Sequence, residues 1–314
     1  METDRFPDLD ETDILLVSEL ESDARQTYQD LAAKLGINRL TVANKMKHLL
    51  DNDIIRVVCW PDPIALGYEF SVYLAIDAQP SQINNVTQSL ATCPQIMSVW
   101  LCTGRFNVGA FALFREHREL AAFISDQLGP IEGISRLETL GLIEVTKAMT
   151  KLLSDETEFP SLKSPIRSVD ELDLRLIGEL QDDARQRAGP LSKKLGVTES
   201  TILRRIQRLV DERVIRIRAG IHPWAIGYEG SAYLGIKCHP AKVGEVADAI
   251  ASHKQVGYVT ICVGRYDIFA FVWFKKMNDL RRFLTVELGN IPGLKDIETS
   301  LTSRFVKYFD RIPV

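Results

Sequence analysis

Asp13 and Asp173 stand 160 positions apart, and that single offset recurs along nearly the whole 314-residue sequence. It aligns the Asp-Ala-Arg-Gln run at 23–26 with 183–186, Leu35 and Gly36 with Leu195 and Gly196, and Ile55 and Arg56 with Ile215 and Arg216. Gly67, Tyr68 and Glu69 then meet Gly227, Tyr228 and Glu229, Cys102, Gly104 and Arg105 meet Cys262, Gly264 and Arg265, and Glu138 and Thr139 meet Glu298 and Thr299. The register needs no insertion, and about a third of the positions between residues 8 and 148 are identical in the second copy. A chain of this kind folds as one unit made twice, so every motif can be read in duplicate. Between the copies, residues 154–168 are rich in Pro, Ser and charge and lack any apolar period, which reads as a linker.

The front third of each copy has the pattern of three helices. Asp10 and Asp170 precede runs with apolar residues at helical spacing, Ile14, Leu16, Val17 and Leu20 in one, Leu172, Leu176, Ile177 and Leu180 in the other. A carboxylate there accepts from a free first-turn amide and complements the helix dipole, as do Asp13 and Asp173 at the third helical position. A short second helix ends at Gly36 or Gly196, where a left-handed turn is cheapest. Asn38 and Thr198 then cap a third helix whose apolar face is Val42, Met46 and Leu49, or Ile202, Ile206 and Leu209. Helix, glycine turn, helix at this spacing is a helix-turn-helix, whose last helix can lie in the DNA major groove.

The outer face of that third helix is the informative one. It carries Arg39, Thr41, Asn44, Lys45, Lys47 and His48 in the first copy, and Glu199, Ser200, Thr201, Arg204, Arg205 and Arg208 in the second. Arg and Lys donate to guanine edges and phosphates, Asn pairs with adenine, and Ser or Thr does either. A net charge of −4 excludes a chain that coats nucleic acid indiscriminately. Residues 193–218 nevertheless hold eight Lys or Arg against three acids, and residues 33–58 hold five against two. Positive charge is thus concentrated where a groove-reading helix needs it. Three-helix units also serve protein contact, but the basic third helix in both copies favours double-stranded DNA as the partner.

Behind this unit the periodicity switches from helical to alternating. Residues 71–77, 98–104, 108–114 and 134–145 read as strands, and 81–92 and 118–128 as helices, giving the order βαββαβ in each copy. The expected fold class is therefore α+β, a tandem duplication of a helix-turn-helix domain followed by a ferredoxin-like sheet with both helices on one face. The bare apolar face of such a sheet needs a cover. The duplication supplies a second sheet in the same chain as an internal pseudo-dimer, while pairing between chains would meet the same need. The expected units are 8–58 and 168–218 for DNA binding, 68–150 and 228–314 for sensing and dimerisation, and 151–167 for the linker.

Between the second and third strands lie Thr-Gly-Arg-Phe-Asn at 103–107 and Val-Gly-Arg-Tyr-Asp at 263–267. Glycine permits close backbone approach, and the neighbouring Arg, aromatic ring and Asp offer groups for a carboxylate, an apolar side chain and an ammonium. The loop suits a small zwitterion, and it equally fits an ordinary β-hairpin turn.

Other chemistries find little footing. The five cysteines form no CxxC pair and no zinc spacing, and Cys102 and Cys262 sit inside apolar strands, which reads as buried free thiols. No P-loop, GxGxxG, GxSxG or HExxH is present, so neither a catalytic residue, a metal site nor a cofactor is expected. The longest apolar runs fall far short of the roughly 20 residues of a membrane span, and the amino-terminal ten residues do not read as a secretory signal, so a cytoplasmic location is expected.

The helix-turn-helix with Glu-Ser-Thr-Ile-Leu-Arg-Arg-Ile at 199–206, the Gly-Tyr-Glu strand entry and the Gly-Arg-Tyr-Asp hairpin together resemble the Lrp/AsnC, or feast/famine, family of transcription regulators. The resemblance covers nearly the whole chain twice, whereas the family pattern is usually one copy per chain. It implies a sequence-specific regulator whose sensing domain drives dimerisation and higher homo-oligomers, and which responds to an amino acid or related metabolite near the hairpin. Carried over by position, the effector-binding residues are Gly264, Arg265, Tyr266 and Asp267, with Gly104 and Arg105 in the first copy, where Phe106 and Asn107 depart from the pattern. Unequal recognition helices imply an imperfectly palindromic operator. The same architecture is similar to that of sirohaem decarboxylases, which place His and Arg around a tetrapyrrole. Here the hairpins carry no histidine, and His222 and His239, whose counterparts are Asp62 and Gln79, read as surface positions.

Overall fold

The computed structural model describes residues 6–148, 152–153, 169–308 and 311–314. Apart from Leu152 and Leu153, the linker read at 151–167 lies outside the described residues.

Each copy opens with three helices, α1 (Glu11–Ser22), α2 (Tyr28–Leu35) and α3 (Arg39–Asp51) in the first, α6 (Glu171–Asp182), α7 (Ala188–Leu195) and α8 (Glu199–Asp211) in the second. The expected caps are in place. Asp10 Oδ1 accepts from the Asp13 amide at 2.8 Å while Asp13 returns the bond to the Asp10 amide at 3.1 Å. Asp170 and Asp173 repeat the box at 2.8 and 3.2 Å, a reciprocal arrangement that satisfies two amides which would otherwise be orphaned. Gly36 at φ 65° and Gly196 at φ 71° end the second helices in the left-handed region. Asn38 and Thr198 start the third by accepting from the amides of Thr41 and Thr201 at 2.8 and 3.2 Å.

After the third helix, β1 (Ile55–Pro61) and β6 (Ile215–Ile221) pair with each other, antiparallel, across the copies. Val58 faces Arg218, its own counterpart, so a pseudo-twofold axis passes through that pair. The strands cross over, with α1 packing on β6 and α6 on β1. One apolar core consequently joins both three-helix units, from Leu16, Leu20 and Met46 to Leu176, Ile206 and Ile221.

The back two thirds of each copy form the sheet expected. The first contains β2 (Phe70–Ala78), α4 (Ile83–Thr92), β3 (Ile96–Cys102), β4 (Val108–Phe114), α5 (His117–Ala122) and β5 (Ile134–Ala148). The second contains β7 (Gly230–Cys238), α9 (Val243–Ala251), β8 (Val256–Val263), β9 (Ile268–Phe274), α10 (Met277–Arg282) and β10 (Leu294–Lys307). The expected helix at 118–128 is split, with α5 followed by a wider π turn over Phe123–Leu128. Strand order within each copy, β3-β4-β2-β5 and β8-β9-β7-β10, is that of a ferredoxin-like sheet.

The two sheets join edge to edge. Long β5 pairs with β8 and long β10 with β3, closing an eight-stranded barrel in the order β10-β3-β4-β2-β5-β8-β9-β7. Closure leaves no open edge among the eight barrel strands, whereas β1 and β6 each keep one free edge. Closure also covers both faces of the central strands, helices outside and side chains inside, which is why all seven residues of β9 are buried, whereas the long strands β5 and β10 stay partly open. The interior is a stack of rings. Trp100 lies 4.2 Å from Tyr233 and Tyr73 4.4 Å from Phe269, centroid to centroid. The halves are not equal there. Trp100 occupies the space over Gly109, where a Cβ would come within 2.3 Å of the indole, whereas the corresponding pair in the second copy is Thr260 and Phe269.

Further bonds tie one copy to the other. Arg25 donates to the Ala184 carbonyl at 3.2 Å and Arg185 to the Ala24 carbonyl at 2.9 Å. Lys147 near the end of β5 donates to the carbonyls of Ala251, the last residue of α9, and of His253 just beyond it, and Lys307 on β10 does the same to Ala91 on α4. A buried lysine there satisfies the carbonyls at the helix end that have no helical partner.

Candidate nucleic-acid interface and effector cleft

The third helices expose one face and fasten another. Arg39, Asn44, Lys47 and His48 are exposed on α3, and Ser200, Arg204 and Gln207 on α8, while Thr41 and Thr201 are half-buried in the first turn. Among the described residues neither Asn44 nor Arg204 makes a side-chain hydrogen bond or ion pair. Ser200 shares a hydroxyl contact with the cap Thr198, and His48 Nδ1 faces the Asn52 amide at 3.2 Å.

Two residues assigned to DNA reading point elsewhere. Lys45 Nζ reaches back to Asp10 and Asp13 at 2.7 and 2.9 Å. Arg205 Nη1 lies 2.7 Å from both Asp170 and Asp173, and the Asp173 side chain is 0% exposed. Arg208 also bonds Asp173 and remains partly open to solvent. The carboxylates that cap the first helix therefore fasten the third helix to it. Charge explains the arrangement, because a buried carboxylate without a cation is costly. The contact also shows in the ionisation. Hydrogen bonding from Arg205, then from the Asp173 amide, holds the Asp170 carboxyl below the ordinary carboxylate range, and Lys45 leads the same effect on Asp10.

Two apolar side chains went unremarked in the sequence: Leu40, in the first turn of α3, is 70% exposed, and Leu203 on α8 is 53% exposed beside Arg204.

At one mouth of the barrel the two hairpins converge on a small cleft lined by Tyr73, Ala75, Arg105, Phe106, Glu138, Leu140, Tyr233, Gly235, Tyr266, Phe269, Glu298 and Ser300. Gly104 at φ 112° and Gly264 at φ 129° make the turns, and what Gly264 approaches is the opposite copy, since a Cβ would stand 2.9 Å from Leu140 and 3.2 Å from the Thr139 carbonyl. Arg105 pairs with Glu138 and Arg265 with Glu298, each at 3.1 Å. Arg265 Nε donates to the Tyr266 hydroxyl at 3.2 Å, and the Tyr266 ring lies flat on Gly235, where a Cβ would be 2.4 Å away. Burial, then the neighbouring Glu298, pushes the Tyr266 phenol up to about 12.

Asp267 is engaged within its own copy. Its carboxylate accepts from Lys237 Nζ at 2.9 Å and from the Cys238 amide at 3.0 Å. Asn107 performs the same closure in the first copy, accepting from the Ala78 amide and donating to its carbonyl. The acids that do face the cleft are Glu138 and Glu298, with Tyr73 and Tyr233 beneath. The signal for all four was their identity across the repeat, though nothing in spacing alone assigned it to a cleft.

The five cysteines are free thiols, four of them buried, and among the described residues no group of three His, Cys, Asp or Glu could hold a metal ion. His239 is exposed, but His222, expected at the surface, is half-buried between Phe6 and Trp224 at 4.6 and 4.8 Å because β6 carries it into the joint core. No described helix is long and apolar enough to cross a membrane.

A family model for the Lrp/AsnC ligand binding domain matches residues 71–152 and again 231–312. A model for the AsnC-type helix-turn-helix domain matches 169–210, and one for a winged helix-turn-helix DNA-binding domain matches 9–56. An uncharacterized HTH-type transcriptional regulator of Pyrococcus horikoshii is 36% identical over 141 residues, 45% of this chain and 89% of its own. The HTH-type transcriptional regulator FL11 of Pyrococcus abyssi is 34% identical over 148 residues, 47% of this chain and 97% of its own. Each such relative thus matches a length close to one copy. Among solved structures, the siroheme decarboxylase NirDL shares the fold over 97% of this chain and 96% of its own, with a TM-score of 0.67 at 18% identity.

Proposed function

Because this chain belongs to the Lrp/AsnC family of DNA-binding transcription regulators and carries the family's unit twice, we propose that one molecule does the work of a dimer. Its two helix-turn-helix units, 8–58 and 168–218, seat α3 and α8 on the two halves of one imperfectly palindromic operator. The supporting observation is the crossed ribbon of β1 and β6, which with the reciprocal Arg25 and Arg185 bonds couples two basic helices inside a single chain. Dimers of this motif read half-sites one helical turn or a multiple of it apart.

The sensing units, 68–150 and 228–314, pair as the barrel and take an amino acid or similar zwitterion at its mouth. Arg105 and Arg265 suit a carboxylate, and Glu138 and Glu298 an ammonium. Both ion pairs are partly exposed and can open to a ligand carrying the same two charges. Whole chains assemble further as homo-oligomers in the cytoplasm.

The likeness to the decarboxylase concerns the fold, and no catalytic role is assigned. The mouth is lined by Arg, Glu and Tyr rather than histidine, and stacked rings fill the barrel interior.

The test is titration of the full chain onto genomic fragments selected by it, at several salt concentrations, with the complex's mass measured in parallel. Salt-sensitive, sequence-dependent binding is expected, with both half-sites of an operator protected together. Salt-independent or sequence-indifferent binding would remove the DNA-reading role.

A further inference from the structure

The two recognition helices occupy the same register yet offer different chemistry at exposed positions of their outer faces, two of which bear on base choice. Fastening to α1 and α6 removes Lys45 and Arg205 from the outward face in both copies. The adjacent position, 44 and its counterpart 204, remains outward and unbonded, and it is Asn on α3 and Arg on α8. An Asn amide matches the paired donor and acceptor of adenine N6 and N7. An Arg guanidinium matches the two acceptors of guanine O6 and N7 and repels the adenine amino group.

A second position diverges the same way. Leu40 stands exposed in the first turn of α3, where its counterpart on α8 is Ser200. A leucine methyl group there finds an apolar partner in the major groove only at the thymine 5-methyl, whereas serine accepts several bases. Both differences push α3 toward A·T pairs and position 204 pushes α8 toward G·C.

Resting on the DNA-reading role above, we propose that this chain recognises a directional operator, with adenine under Asn44 in one half-site, guanine under Arg204 at the equivalent step of the other, and a thymine methyl against Leu40. Asn44 and Arg204 are the residues that set this polarity. A directional site fixes which copy lies upstream, so the regulator is oriented on the duplex.

The experiment selects duplexes from a random pool with the full chain, then compares the hybrid site with both symmetrised versions, A in each half and G in each half. The hybrid is expected to bind roughly tenfold tighter than either. N44R is expected to move the preference to the symmetrical G site and R204N to the symmetrical A site, with thermal stability held, since neither side chain has a hydrogen-bond or ion-pair partner among the described residues. Replacing the thymine by deoxyuracil is expected to weaken binding of the parent chain and leave L40S unmoved. Equal affinity for hybrid and symmetrical sites, or variants that lose affinity without exchanging preference, overturns the polarity while leaving DNA reading intact. Failure to enrich any duplex overturns both.

Discussion

Val58 on β1 lies directly opposite Arg218 on β6, and the two are the same residue of the repeat. A single chain thereby builds the axis that two separate subunits would otherwise have to find, and everything on either side of it is related by that pairing.

The first prediction separates two neighbouring arginines. R204A is expected to weaken operator binding by about 1–3 kcal/mol with the melting temperature unchanged. R205A is expected to destabilise the fold by about 2 kcal/mol, because it removes one of two cations from the buried Asp173 carboxylate. Paired melting and binding curves decide it, and equal effects of the two substitutions on stability would be the contrary outcome.

A second concerns acid. The Asp170 and Asp10 carboxyls titrate lower in the folded protein than when free, so their ionised forms favour folding. That gain is complete above the ordinary carboxylate value near about 4 and drains as pH falls through the lower folded value. Stability measured by denaturant titration is therefore expected to drop below about pH 4 in the parent chain. In R205M, combined with K45M, the same curve is expected to be flatter.

A third tests the ring stack. Trp100 is 1% exposed, and W100A is expected to cost about 3–5 kcal/mol by opening a cavity in the barrel. G109A is expected to be destabilising as well, since its methyl would meet the indole, and W100F combined with G109A is expected to recover part of the loss. Denaturant midpoints read out all three.

A fourth separates closure from sensing at the hairpin. D267N is expected to retain both fold and metabolite response, because Asn107 already performs that closure in the first copy. E298Q and R265M are expected to blunt the response while operator affinity without metabolite stays near that of the parent. Retained response in both latter variants, measured by calorimetry with a panel of amino acids, would move the effector away from the cleft.

A fifth addresses the coupling of the reading units. R25A with R185A removes both carbonyl contacts between them, each worth about 1 kcal/mol or somewhat more as a charged hydrogen bond. The double variant is expected to tolerate operators with altered half-site spacing that the parent rejects, as measured by competition binding.

Much of this architecture was legible in the sequence because local rules and the repeat agreed. Asp10, Asp13, Asn38 and Gly36 specify helix ends through their own backbone neighbours, and the alternation of residues 71–77 and 108–114 specifies strands. The ion pairs of Lys45 and Arg205 were not legible, because helical spacing gives the direction of a side chain but not the carboxylate waiting on another helix. The closure made by Asp267 was hidden for a similar reason, its partner Cys238 amide being 29 positions away. The crossing of β1 and β6 left no local trace, since an apolar run of that length is the same whether its partner lies in its own copy or the other.

The closed barrel and the shared ribbon place both halves of the reading apparatus on one polypeptide. Their encounter is therefore settled at translation, and its yield does not fall with dilution. A regulator made from separate subunits loses its paired form as the square of its scarcity, whereas the pairing of the two units within this chain does not depend on how many chains the cell holds.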